Sequence, residues 1–118
     1  MQLKELTNRW LTRNAKAKGV LACGVRHPDQ TTCNHTGSPE FSTAALDKSW
    51  ECVASTFAFL KQHQNDVDQM CWVFDNYLLH CAWRSDDTCL GIVTSKKEEE
   101  HDPAVINRII SEFKALKR

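Results

Sequence analysis

Residues 69–94 leave this chain little choice of architecture: 69–74, 77–84 and 88–94 are apolar runs of strand length, separated by Asp75-Asn76 and by Ser85-Asp86-Asp87. The runs are rich in aromatic and β-branched residues, which suit a pleated surface, and none is long enough to stand alone as a helix. They predict a three-stranded antiparallel meander. Asp and Asn tolerate positive φ, so Asp75-Asn76 forms a two-residue hairpin connection that sets Phe74 opposite Tyr77 and Trp72 opposite Leu79. Alternation then puts Met70, Trp72, Phe74, Tyr77, Leu79, Cys81 and Trp83 on one face and Cys71, Val73, Leu78, His80 and Ala82 on the other. Both faces are largely apolar. Such a sheet must be covered on both sides, and in a chain of 118 residues that means helices above and below one core, in a single domain spanning 1–118.

The rest of the chain supplies those helices and two further strands. Residues 2 to about 16 carry Leu3, Leu6, Trp10 and Leu11 on one face, a helix lying on the core, with Gly19 able to take the left-handed conformation that closes it. Residues 20–25 read as a first strand, 27–30 (His-Pro-Asp-Gln) as a turn, and 31–34 as a short polar strand suited to a sheet edge. Gly24 within the first strand marks a bulge or the close approach of another backbone. The longest helix runs from about 41 to 63, started near Ser38-Pro39 or at Ser42, with Leu46, Trp50, Val53, Phe57 and Leu60 as its core stripe. Beside this lies a second stripe, Ala45, Ser49, Cys52, Thr56 and Phe59. Its small residues admit another helix, or else Phe59 simply widens the core face. Asp47, Glu51 and Gln62 hold the solvated side. The charge run before His101 reads as a solvated loop, and Asp102-Pro103 starts a last helix with the stripe Val105, Ile106, Ile109, Ile110, Phe113 and Leu116 on the opposite sheet face.

Lys+Arg and Asp+Glu balance at 15 each, so nothing electrostatic points to nucleic acid or an anionic membrane as a partner. No apolar span or signal pattern is legible, which predicts a cytoplasmic protein without membrane insertion. In a reducing compartment Cys23, Cys33, Cys52, Cys71, Cys81 and Cys89 are expected as free thiols, all but Cys52 within strands. A metal site of Cys23, His27, Cys33 and His35 is disfavoured, because the spacings match no usual ligand pair. There is no phosphate loop, no Gly-x-Ser-x-Gly turn and no His-Glu-x-x-His helix. Asp86-Asp87 is expected to serve its turn, His80 to be a hydrogen-bonded histidine near the core, and His27 and His35 to lie in exposed loops. The chain therefore reads as non-catalytic and free of cofactors and metals. A thiol or metal enzyme ranks last.

The order helix, two strands, helix, three strands, helix resembles the Roadblock / dynein light chain family. The likeness is carried by the amphipathic start through Gly19-Val-Leu-Ala-Cys-Gly-Val25, by the central helix, and by the meander ending in Leu90-Gly-Ile-Val-Thr94. It covers nearly the whole chain and departs from the family at Pro28-Asp29-Gln30, where a glycine-containing turn is usual. It implies a profilin-like α+β sandwich: a five-stranded antiparallel sheet ordered second, first, fifth, fourth, third strand, with the central helix on one face and the N- and C-terminal helices on the other. It further implies a homodimer, or a dimer with a related Roadblock-like chain, through the third strand and the central helix. Ala45, Ser49, Cys52, Thr56, Phe59, Met70, Trp72 and Phe74 would form that interface. Family members of this kind bind or regulate small Ras-like GTPases or act as adaptors of larger assemblies. The alternative is a small-molecule or redox sensor of the same general shape, with a pocket lined by Trp72, Cys81, Trp83 and Phe113.

Overall fold

A computed structural model describes residues 2–117. Its elements are α1 (Leu3–Asn14), β1 (Val20–Arg26), β2 (Thr32–Thr36), α2 (Thr43–Gln62), β3 (Gln69–Val73), β4 (Tyr77–Trp83), β5 (Cys89–Ser95), a 3-10 turn (Glu98–Glu100) and α3 (Pro103–Ala115). The strands form one antiparallel sheet in the order β2-β1-β5-β4-β3, the order that the resemblance implies. The meander has the expected register, with Trp72 opposite Leu79 and the Phe74 amide donating to the Tyr77 carbonyl at 2.9 Å around Asp75-Asn76.

Each sheet face carries its own core. On the α2 side, Leu46, Trp50, Val53 and Phe57 are buried with Ala22, Leu79, Cys81, Cys89 and Val93. On the other side, Trp10 and Leu11 of α1 and Ile106, Ile109, Ile110 and Phe113 of α3 close over Cys23, Val25, Ala82, Leu90 and Ile92. Ser42 caps α2, its Oγ accepting from the Ala45 amide at 3.2 Å, and Asp102 caps α3 with Pro103 in the first turn.

Several expectations need correction. α1 ends at Asn14, so Gly19 does not close the helix; its φ of +92° serves the turn that feeds β1. The irregularity in β1 lies between Val20 and Ala22 and not at Gly24, which instead faces the Trp50 indole. The β1–β2 turn needs no glycine because Gln30 itself takes φ 72°. His27 is buried, its Nε2 2.8 Å from Asn8 Oδ1, and His35 is a β2 residue whose Nε2 lies 3.1 Å from Thr12 Oγ1. Loop positions became packed ones because α1 lies across that end of the sheet. Asp47 is exposed yet engaged, accepting from Thr32 Oγ1 at 2.7 Å and Asn34 Nδ2 at 2.6 Å on β2. Residues 98–100, expected as loop, form the 3-10 turn.

Candidate interaction surface

β3 pairs with β4 along one edge, and no other described strand takes its second edge. Its sequence, Gln-Met-Cys-Trp-Val, holds neither lysine nor proline, the residues that usually blunt a free edge. Gln69, Cys71 and Val73 are exposed while Met70 and Trp72 are half-buried against the α2-side core. The large apolar side chains most open to solvent are Val73 at 64%, Phe59 at 57% and Phe74 at 50%.

The placement of α2 explains this opening. The helix packs on β1, β2 and β5, and Asp47 on one flank is bonded to β2. The opposite flank therefore looks toward β3. Ala45 and Ser49 on that flank border an apolar hollow of about 250 Å³, closed on its far side by Phe74, Tyr77, Leu78 and Leu79 and at its end by Phe41. Phe41 stands edge-on to Tyr77, with ring centroids 4.9 Å apart, and the Tyr77 hydroxyl donates to Glu40, which raises its pKa. Further along the same flank come Cys52 and Phe59, both exposed, with Thr56 half-buried between them and the Phe59 ring 4.3 Å from that of His63.

The expected interface residues thus divide into three groups. Ala45, Ser49 and Phe74 share the hollow; Cys52, Thr56 and Phe59 continue the α2 flank; Met70 and Trp72 connect β3 to the core. Phe74 lies one residue beyond β3, in the hairpin connection. Val73 was missed, and the signal was there: a valine at the end of an edge strand. Phe41 and Tyr77 were also missed as surface residues, because strand alternation and helix periodicity say nothing about the gap between a helix and a hairpin.

The pocket expected of Trp72, Cys81, Trp83 and Phe113 does not exist. Phe113 belongs to the core on the α3 side, whereas Cys81, Trp72 and Trp83 lie on the α2 side, so the sheet separates them. The Lys61 ammonium covers the Trp83 ring, an arrangement that attracts the cation to the π face.

The titratable groups are engaged structurally. Burial pushes Cys23 and Cys81 up to about 12 and Cys89 to about 11, the opposite of what a thiolate nucleophile requires. Cys33 Sγ lies 3.9 Å from His35 Nε2, yet burial raises this thiol too and Thr12 also engages the imidazole. His80 Nε2 is 3.0 Å from Thr94 Oγ1, the hydrogen bond expected of it, and burial followed by His101 lowers its pKa. His27 turns to Asn8, and among the described residues no cluster of three or more His, Cys, Asp or Glu side chains is placed to hold a metal. Asp86 accepts from Arg84 and from the Thr88 amide, so that despite burial, which acts to raise it, its pKa falls.

A five-stranded antiparallel sheet in this order, with one long helix on one face and the terminal helices on the other, is an α+β sandwich, and solved structures of Roadblock domains share that fold. The chain matches Myxococcus xanthus MglB with a TM-score of 0.72 at 10% identity, over 96% of this chain and 84% of that one. It matches a Roadblock/LC7 domain from Streptomyces avermitilis with a TM-score of 0.65 at 18% identity, over 90% and 89%. A structure of MglB with a tetrameric arrangement matches with a TM-score of 0.70 at 12% identity, over 98% and 87%. No family model and no curated protein matches the sequence. At such identities the likeness is one of fold. Among the described residues no helix is long and apolar enough to cross a membrane.

Proposed function

We propose that this chain is a non-catalytic, cytoplasmic scaffold or regulatory adaptor that works as a dimer and binds a small Ras-like GTPase or a larger assembly. The observation that carries the proposal is the apolar β3 edge, open along its length and continuous with the exposed flank of α2. An unpaired edge of this composition is an aggregation liability in a lone domain. A second copy, related by a twofold axis, would pair β3 with β3 and α2 with α2 and so cover the same patch twice. Ala45, Ser49, Cys52, Thr56, Phe59, Met70, Trp72 and Phe74 would lie in that interface, joined by Val73. Solved neighbours that include a tetrameric MglB make assembly the natural use of the fold. Thiols held protonated by burial and histidines tied into hydrogen bonds favour a binding role over a chemical one.

Sedimentation velocity over a wide concentration range tests the dimer. The native chain is expected to dimerise, and Val73→Lys to give a folded monomer, because Val73 is exposed and its replacement disturbs no core. Trp72 is less suitable, being half-buried against the α2-side core. A native chain that stays monomeric at every concentration would remove the proposal. For the partner, a Ras-like GTPase loaded with GDP or a GTP analogue should be retained by the native chain and lost by Val73→Lys.

A further inference from the structure

We propose that the hollow beside the N-terminal half of α2 is a socket for Phe59 of a second copy of this chain. The proposal rests on the dimeric reading above and specifies what joins the two α2 helices. Two features of the structure point to each other. The hollow is apolar, measures about 250 Å³ and has Ala45 and Ser49 on its rim. An apolar cavity of about 150 Å³ already accommodates a benzene ring, so a phenyl group has room here. Phe59 is a large apolar side chain left 57% exposed on the same flank of the same helix, with the His63 ring beside it.

Their positions are related by symmetry. Ala45 and Phe59 lie seven residues, about two helical turns, to either side of Cys52, which is itself near the middle of α2. When two α2 helices cross antiparallel about a twofold axis at Cys52, Phe59 of each meets Ala45 of the other. The smallest side chain of the flank then faces the largest. Small residues permit the close approach, and the ring finds apolar walls from Tyr77 and Phe74. The midpoint of β3 is Cys71, also exposed, so antiparallel pairing of the edge strands about their centres can share that axis. The hollow and the exposed ring account for each other in one arrangement, and each dimer contains it twice.

The test is complementation between two variants, read by sedimentation velocity. Phe59→Ala removes the plug, and Ala45→Trp fills the socket from its own side; both positions are exposed, so the fold is spared, which circular dichroism checks. Each variant alone is expected to dimerise about a hundredfold more weakly than the native chain, from two sites worth roughly tenfold each. Mixed together they should associate more tightly than either alone, since intact Phe59 on one chain meets an empty socket on the other. In a Cys71→Ser background, a short bifunctional maleimide should join Cys52 to Cys52 in the native dimer and fail after Phe59→Ala at the same concentration. Native dimerisation with unchanged affinity in both variants overturns the socket and leaves the dimer standing. A native monomer overturns both.

Discussion

Gly24 on β1 stands directly opposite Gly91 on β5, and the Trp50 indole covers both. A Cβ on Gly24 would come within 2.8 Å of Trp50 Cε2, and one on Gly91 within 2.7 Å of Trp50 Cε3, so the glycine pair is the seat of the largest α2 side chain. The indole Nε1 donates to Asn34 Oδ1 at 2.6 Å, which ties the seat to β2. Gly91→Ala should destabilise the fold by at least about 1–3 kcal/mol through overpacking, and Trp50→Ala by about 3–5 kcal/mol through the lost contacts and the cavity. Urea unfolding followed by circular dichroism measures both. A Gly91→Ala chain as stable as the native one would mean that Trp50 moves aside freely.

Arg84 is almost completely buried and is held by the Asp86 carboxylate at 2.9 Å, Thr7 Oγ1 at 3.0 Å and Thr88 Oγ1 at 3.2 Å, over the Phe113 ring. It joins the β4–β5 turn to α1 and α3. Arg84→Ala should cost about 2–4 kcal/mol, because it leaves two buried hydroxyls without their donor and removes the ion pair with Asp86. Thr7→Val removes only one acceptor and should cost about 1–2 kcal/mol. Thermal unfolding of both variants gives the ranking, and Thr7→Val as harmful as Arg84→Ala would show that packing, not the hydrogen bond, dominates there.

Stability should fall on mild acidification. His27 has a lowered pKa through burial, then Lys4, with Arg84 acting in the same sense and Asp29 and Asp86 against it; His80 is lowered by burial and by His101. The folded chain therefore keeps both rings neutral where the unfolded chain has begun to protonate them. Their contribution is complete above the ordinary histidine pKa of about 6.5 and is lost as the pH falls from there through the lower folded-state values. Melting temperatures between about pH 7.5 and 5 should drop, and the slope should lessen in His27→Gln. An unchanged slope in that variant and in His80→Gln would place the acid sensitivity elsewhere.

Thiol labelling should separate the cysteines by depth. Cys52 and Cys71 are exposed and should react with a small disulfide reagent in the folded monomer, Cys71 the more slowly because burial raises its pKa. Buried Cys23, Cys81 and Cys89 should react only after denaturant is added. Mass spectrometry of the labelled peptides reads the order.

The layers were legible because burial on two faces writes two periods into the chain. Tyr77 to Trp83 alternates over the sheet, and Trp50, Val53 and Phe57 recur at helical spacing. The chemistry of the loops was less legible. His27 looked exposed because a turn of Pro28, Asp29 and Gln30 has no apolar rhythm, and only the passage of α1 across it buried the ring against Asn8. The expected aromatic pocket failed on the same ground as the layers succeeded, since Trp72 and Phe113 belong to opposite faces.

By itself, then, the sequence determined the five strands and three helices, the hairpin register around Asp75-Asn76 and the cap at Asp102, and it offered Ser42 as one of two starts for α2. These are local matters of periodicity, turn chemistry and unpaired amides. The tertiary structure alone decided that α2 sits off-centre over β1, β2 and β5, leaving Phe59, Val73 and the hollow beside Ala45 open. Where a helix rests on a sheet follows from the fit of one large side chain, Trp50, onto two glycines far apart in sequence, and a fit of that kind has no period to read.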